Sequence, residues 1–260
     1  MFYSGRIGSF GILVLICIIV YIRLKQVVAG KAPTIRRLPA LDAVEEAIGR
    51  AAEMGRPVFF NSGYAAGGLT TIEAPIIGAA MSLLHYTARL TARYGTGITS
   101  FLGPINMVPV SLDVIKAAYT IEGVESDYRE TMVRWLSESQ FVYTSGFMGA
   151  CQREKPASHV MMGGFWYESI LLGEAGRNAG AFTVGGTPRQ GQVMFMVAIC
   201  DYVLIGDEYY AAAASVSQDP EEIGSIWGAD DIKILILGFL IVGSILQVLG
   251  IDWITQLLKL

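Results

Sequence analysis

Charge is what this sequence has least of. Only 16% of its 260 residues are Asp, Glu, Lys or Arg, against roughly 25% in an average soluble domain, while 53% are hydrophobic. Lys and Arg number 19 against 23 acidic residues, a net charge of −4. No basic cluster interrupts the middle of the chain, which argues against nucleic acid as a partner. The three cysteines, Cys17, Cys151 and Cys200, have no C-x-x-C spacing for metal or redox work and agree with a reducing compartment. The two histidines, His85 and His159, stand apart, and no His/Asp/Glu set has a recognised metal-site spacing. Low-complexity segments and solenoid periods are also absent.

The charge deficit is concentrated at the two ends. Ile7–Leu24 (IGSFGILVLICIIVYIRL) and Ile234–Ile251 (ILILGFLIVGSILQVLGI) are apolar runs of about 18 residues, near the lower limit for crossing a bilayer. Val27-Val28-Ala29 passes as a signal cleavage site, but Arg23 and Lys25 intervene, so the first run reads as an anchor. Basic residues set the orientation. Arg6 alone precedes the first span, whereas Arg23, Lys25, Lys31, Arg36 and Arg37 follow it. The expected arrangement is a cell-membrane protein with both termini outside and the middle domain in the cytoplasm. Its segments are a span at 7–24, a basic linker at 25–40, an α/β domain at 41–218, an acidic juxtamembrane helix at 219–231 and a span at 232–258. Arg23, Lys25, Lys31, Arg36 and Arg37 are expected to pair with Asp219, Glu221, Glu222, Asp230 and Asp231 on the other linker.

Between the spans, short apolar runs alternate with helical periodicity. Strands are predicted at 57–61, 97–101, 140–144, 181–185 and 202–206. Helices are predicted at Leu41–Gly55, from about Ile72 or Pro75 to Tyr94, over SLDVIKAAYTIEG and SDYRETMVRWLS, and at Phe165–Gly176. The Ala-rich run after Asp207 and the run begun by Asp219-Pro220 are also read as helices. Buried, non-alternating strands interleaved with helices imply an α/β fold, a largely parallel Rossmann-like sheet flanked by helices, with a transmembrane helix at each end of the chain.

In such sheets ligands sit beyond the carboxyl ends of the strands. FFNSGYAAGG (Phe59–Gly68) and FVYTSGFMGA (Phe141–Ala150) echo one another, each reading as a strand that ends in Ser-Gly. Ser62-Gly63 and Ser145-Gly146, with Gly185-Gly186, Thr187, Arg189 and Asp207, are therefore the expected walls of one anion site. Glycine admits close approach, helix N-termini favour anions, and Arg forks onto phosphate oxygens. Ordinary β-to-α turns select Gly and Ser too, a surface arginine and a capping Asp207 explain the rest, and both readings stand. None of the loops has the spacing of a dinucleotide or P-loop motif. Ser145 lies outside a G-x-S-x-G elbow, so no catalytic residue is assigned. His85 shares a helix face with Ser82, Arg89 and Arg93, a pattern that a solvated face explains. In the spans, Gly243, Gln247 and Gly250 fall on one face, and Gly5, Gly8 and Gly11 line the entry to the first. Small residues and a buried amide are what helix packing in lipid uses.

The two terminal spans, AGGLTTIEAPIIGAAMSLLHYTARLTARYGTGI, FVYTSGFMGACQ and IGDEYYAAAASVS together resemble an uncharacterised family of prokaryotic membrane proteins, a domain of unknown function, over residues 35–245. The resemblance implies a membrane-tethered cytoplasmic α/β domain and brings no catalytic residues with it. The expected function is a membrane-anchored, self-assembling scaffold or ligand-binding module. Its partners would be the bilayer, its own copies or another membrane protein, and an anionic small molecule; no cofactor is named. The alternative is a membrane-bound enzyme acting on a nucleotide or phosphorylated substrate through Ser62, Ser145, Arg189 and Asp207. The charge bias makes the first testable claim: an impermeant thiol reagent should leave a reporter cysteine near Arg56 unlabelled in intact cells and label it after permeabilisation. Labelling from outside refutes the orientation.

Overall fold

The computed structural model describes residues 7–64 and 68–249, which divide into two compact units: the α/β unit, Arg36–Ser217, and the terminal segments on either side of it. The α/β unit opens with α2 (Pro39–Met54) and β1 (Val58–Asn61), followed by α3 (Ala74–Tyr94), β2 (Ile98–Leu102), α4 (Val108–Ile121) and β3 (Val133–Trp135). Its second half runs α5 (Gln140–Glu154), β4 (Ser158–Met162), α6 (Glu168–Asn178), β5 (Phe182–Thr187), α7 (Gln190–Ile199), β6 (Tyr202–Ile205) and α8 (Asp207–Ser217).

The six strands form one sheet in the order β3-β2-β1-β4-β5-β6, and every pairing is parallel. β1, β2 and β4 are buried along their whole length, as a sheet covered on both faces requires. Pleating sends alternate residues to opposite faces. Val58, Phe60, Leu102, Val160, Val184 and Leu204 pack under α2, α3, α4 and α8. Phe59, Phe101 and Met161 face α5, α6 and α7 through Tyr143, Phe147, Leu172 and Met196. The second face is the more aromatic: Phe59, Phe101 and Phe147 meet edge-on at centroid distances of 4.7, 5.9 and 5.1 Å, a geometry that aromatic quadrupoles favour.

Two sequence expectations fail between residues 126 and 162. The predicted strand at 140–144 is the first turn and a half of α5. Its buried residues, Tyr143, Thr144, Phe147, Ala150 and Cys151, recur at helical spacing, while Phe141, Val142 and Ser145 are exposed. The strand lies instead at Ser158–Met162, where a polar Ser-His start hides an otherwise apolar run. Each polar side chain has a partner in the core, Ser158 Oγ in the Ala47 carbonyl at 2.5 Å and His159 Nε2 in Asn61, while His159 Nδ1 is buried without one. The predicted helix over SDYRETMVRWLS is two 3-10 turns and β3. At 219–222 the reading holds: Asp219 accepts from the Glu221 N–H at 2.8 Å, with Pro220 at the first helical position.

In the terminal unit, α1 (Ile7–Val28) packs on α9 (Pro220–Val248). Both contain stretches long and apolar enough to cross a membrane, Phe10–Val28 and Pro220–Val248. The helices run antiparallel, and two glycines set their approach. A Cβ on Gly224 would stand 2.9 Å from the Leu24 Cα, and one on Gly228 would stand 3.1 Å from the Val20 Cα. Beside them Arg23 forks onto Asp231, with its second contact at 3.1 Å, and lies 4.1 Å over the Trp227 ring. Of the expected linker pairing, Arg23–Asp231 is present; Arg36 and Arg37 pair with Glu208 and Asp42 inside the α/β unit.

The expected glycine stripe differs from the one that makes this contact. Gly11 faces open space and Gln247 is exposed. Gly243 is half-buried and Gly8 lies in the first turn of α1, whereas Gly5 and Gly250 fall outside the described residues. Gly224→Leu or Gly228→Leu should force α1 off α9, an overpacking effect of about 1–3 kcal/mol, while Gly11→Leu should leave the pair intact. Bis-maleimide cross-linking of cysteines at positions 23 and 231 reads this directly: the link should be lost in the first two variants and kept in the third.

Candidate functional site

In a doubly wound sheet of order 3-2-1-4-5-6, the topological switch point falls between β1 and β4. The loops that leave those two strands are zipped together. Gly63, with φ +83°, has the Gly164 carbonyl where a Cβ would go, and Gly163 has the Ser62 carbonyl there. The Gly164 N–H donates to the Ser62 carbonyl at 3.2 Å, and the Gly163 N–H to the Gly186 carbonyl at 3.1 Å. Beyond β2, a Cβ on Gly103 would lie 3.1 Å from the Tyr64 carbonyl oxygen. Glycine at these tips admits backbone to backbone.

Below the zipped tips a polar chain crosses the aromatic face. The Tyr143 hydroxyl donates to Asn61 Oδ1, and Asn61 Nδ2 donates to His159 Nε2 at 3.1 Å. The ring proton of His159 therefore sits on Nδ1, which faces α6 at Gly176; the ring lies 4.7 Å from that of Phe147. Burial lowers the His159 pKa to about 3, so the ring is a neutral core acceptor. Burial, reinforced by the negative charge of Glu168, pushes Tyr143 well above the ordinary tyrosine range. Burial likewise raises the Cys151 and Cys200 thiols to about 12, far from the reactive thiolate.

Two carboxylates complete the edge. Glu168, fully buried in the first turn of α6, accepts from the Tyr64 N–H at 3.4 Å and from Gln140 Nε2. It thereby joins the β1 loop, α5 and α6 at a helix end where negative charge is favoured. Glu73, at the start of α3, pairs with Arg189, at the start of α7. The Arg189 guanidinium lies 3.9 Å over the Trp166 ring, and Ser169 Oγ donates to Gln192 Oε1 at 3.0 Å, joining α6 to α7. The residues before α3, α6 and α7 make no side-chain cap. Three uncapped helix N-termini thus meet around one arginine.

Of the residues expected in the site, Ser62, Gly63, Gly186, Thr187, Arg189 and Asp207 follow or end strands at this edge. Thr187 is buried, and its Oγ1 accepts from the Arg189 N–H at 3.4 Å. Asp207 opens α8 at the outer strand β6, three strands from β1. Ser145 and Gly146 belong to the middle of α5, and their echo of Ser62-Gly63 is one of sequence alone. Glu73, Trp166 and Glu168 went unnoticed in the sequence. Thr70-x-x-Glu73 has the spacing of a capping box, and no local pattern marks the other two. Among the described residues, no three His, Cys, Asp or Glu side chains cluster to hold a metal ion.

These features define a class: a doubly wound, all-parallel α/β domain with a part-buried arginine among its strand-end loops, in a chain that also carries two helices long and apolar enough to span a membrane. The chain belongs to the family described as "Domain of unknown function (DUF6754)", which matches residues 1–258. No curated protein and no solved structure matches it.

The two Ser-Gly pairs should now separate experimentally. Gly63→Ala places a side chain against a backbone carbonyl at positive φ, and should lower stability by more than about 1 kcal/mol. At Gly146 the nearest atoms to a Cβ are Leu136 methyls at 3.4 Å, so Gly146→Ala should be neutral or stabilising by up to about 1 kcal/mol, the helix-propensity difference. Denaturant unfolding of both variants checks the contrast.

Proposed function

We propose that this protein is a membrane-anchored, non-enzymatic module whose cytoplasmic α/β domain binds an anionic small molecule at the carboxyl edge of its sheet. It would assemble with its own copies or with another membrane protein. The observation that carries the ligand reading is Arg189: a guanidinium stacked on Trp166, set among the N-termini of α3, α6 and α7. Helix N-termini and a pre-oriented arginine are what oxyanion recognition uses. The two apolar helices support the anchor, and the basic residues after the first span support the cytoplasmic side.

The enzyme reading has less to stand on. Ser62 is buried, Ser145 points outward from α5, and His159 is sealed in the core. A panel of nucleotides, sugar phosphates and dicarboxylates, screened by thermal shift on the full-length protein in detergent, tests the proposal. At least one anion should raise the melting temperature, and Arg189→Met should abolish that rise. A rise of equal size in the variant, or none in either protein, removes it.

A further inference from the structure

The Glu73–Arg189 pair is only half made. A matched carboxylate–guanidinium fork uses two oxygens and two N–H groups. Here Oε1 meets Nη2, while Glu73 Oε2 and Arg189 Nε are buried with no partner. The side chains are 12% and 18% exposed, so water does little to offset the unmade bonds. Arg189 has a second support in the Trp166 ring. Glu73, by contrast, precedes α3 without capping it; its carboxylate is committed to one hydrogen bond and the attraction of one cation.

We propose that Glu73 is a displaceable internal counter-ion, and that the ligand which replaces it on Arg189 is a phosphate monoester. This rests on the anion reading of Arg189 given above and names its ligand class. A tethered carboxylate competes at high effective concentration, so a ligand carboxylate would replace like with like and gain little. A phosphate monoester carries about −1.5 to −2 charges at pH 7 and three acceptor oxygens. It can satisfy Nη2 and Nε together and still face the open first turn of α7. The zipped contact of Gly63 with Gly164 closes the place over the β1 turn where a dinucleotide pyrophosphate would lie, which favours a single phosphate on the β5 side. The exposed Tyr167 and Phe141 rings, 5.8 Å apart, belong to the same loop edge and suit an apolar or flat body.

The test uses the full-length protein in detergent and inorganic phosphate as the probe, with chloride at matched ionic strength as the control. Glu73→Gln should bind phosphate at least tenfold more tightly than the wild type, and the double variant Glu73→Gln/Arg189→Met should not respond. Equal phosphate affinity in wild type and Glu73→Gln overturns the counter-ion role. If a ligand from the panel still binds through Arg189 in that case, the anion reading survives and this inference alone fails. Because Glu73→Gln leaves a part-buried cation without its counter-ion, a second readout needs no variant: wild-type crystals soaked in phosphate should show an anion on Arg189 with Glu73 turned away. Glu73 still paired at saturating phosphate also overturns the proposal. Nanodiscs carrying phosphatidic acid, a monoester lipid, against phosphatidylglycerol, a diester, separate the sources. A selective response to the first assigns a membrane headgroup, and a response to soluble phosphate alone assigns a free metabolite; either supports the monoester site.

Discussion

The contact on which the α/β unit depends is the backbone closure of Ser62-Gly63 against Gly163-Gly164. A carbonyl occupies the place of a side chain on each partner, so neither position tolerates a Cβ without moving the main chain. The closure lies at the switch point between β1 and β4 and extends their pairing beyond the strands. It holds the two halves of the sheet in register: β1–β2–β3 on one side and β4–β5–β6 on the other. A doubly wound sheet ordinarily opens here to admit a ligand; this one is stitched, and the polar opportunity moves outward to Arg189.

Closure also accounts for the polar core beneath it. Asn61 and His159 sit on adjacent strands with side chains on the aromatic face. Water cannot follow them there, so their hydrogen bonds must come from the protein. Tyr143 supplies one from α5, and Glu168 gathers the β1 loop, α5 and α6 just above. Neutrality is what lets His159 remain in such a place, because a charged imidazole without a partner would be driven out of the core. Glu73 and Arg189 take the opposite route and meet as a charged pair across α3 and α7. Their unmade bonds are the least settled polar groups of the edge.

The terminal unit relies on a simpler constraint. Two helices can lie backbone against side chain only where one of them is small, and Gly224 and Gly228, four residues apart, provide that on α9. The Arg23–Asp231 fork beside them adds a charged contact between α1 and α9. Glycines such as Gly11 and Gly238 have nothing within 4 Å, so composition alone did not distinguish a packing glycine from an idle one.

Periodicity and punctuation decided much in advance. The two apolar terminal runs, α2 and α3 with their Gly55 and Gly95 stops, the strands at β1, β2, β5 and β6, and the Asp219-Pro220 helix start were all legible. Each follows from local chemistry: a fixed hydrophobic period, a residue free to take positive φ, a proline at a helix start. The sequence by itself therefore determined the fold class and the presence of two helices long and apolar enough to cross a membrane. Only the tertiary structure could decide that QFVYT is helical, since five apolar-rich residues satisfy either period until a partner surface selects one. The same holds for SHVMM, whose polar start is acceptable in a central strand only because Ala47 and Asn61 stand opposite. Strand order, and with it the meeting of Glu73 with Arg189 across 116 residues, depends on contacts between segments far apart in the chain, which no local pattern encodes.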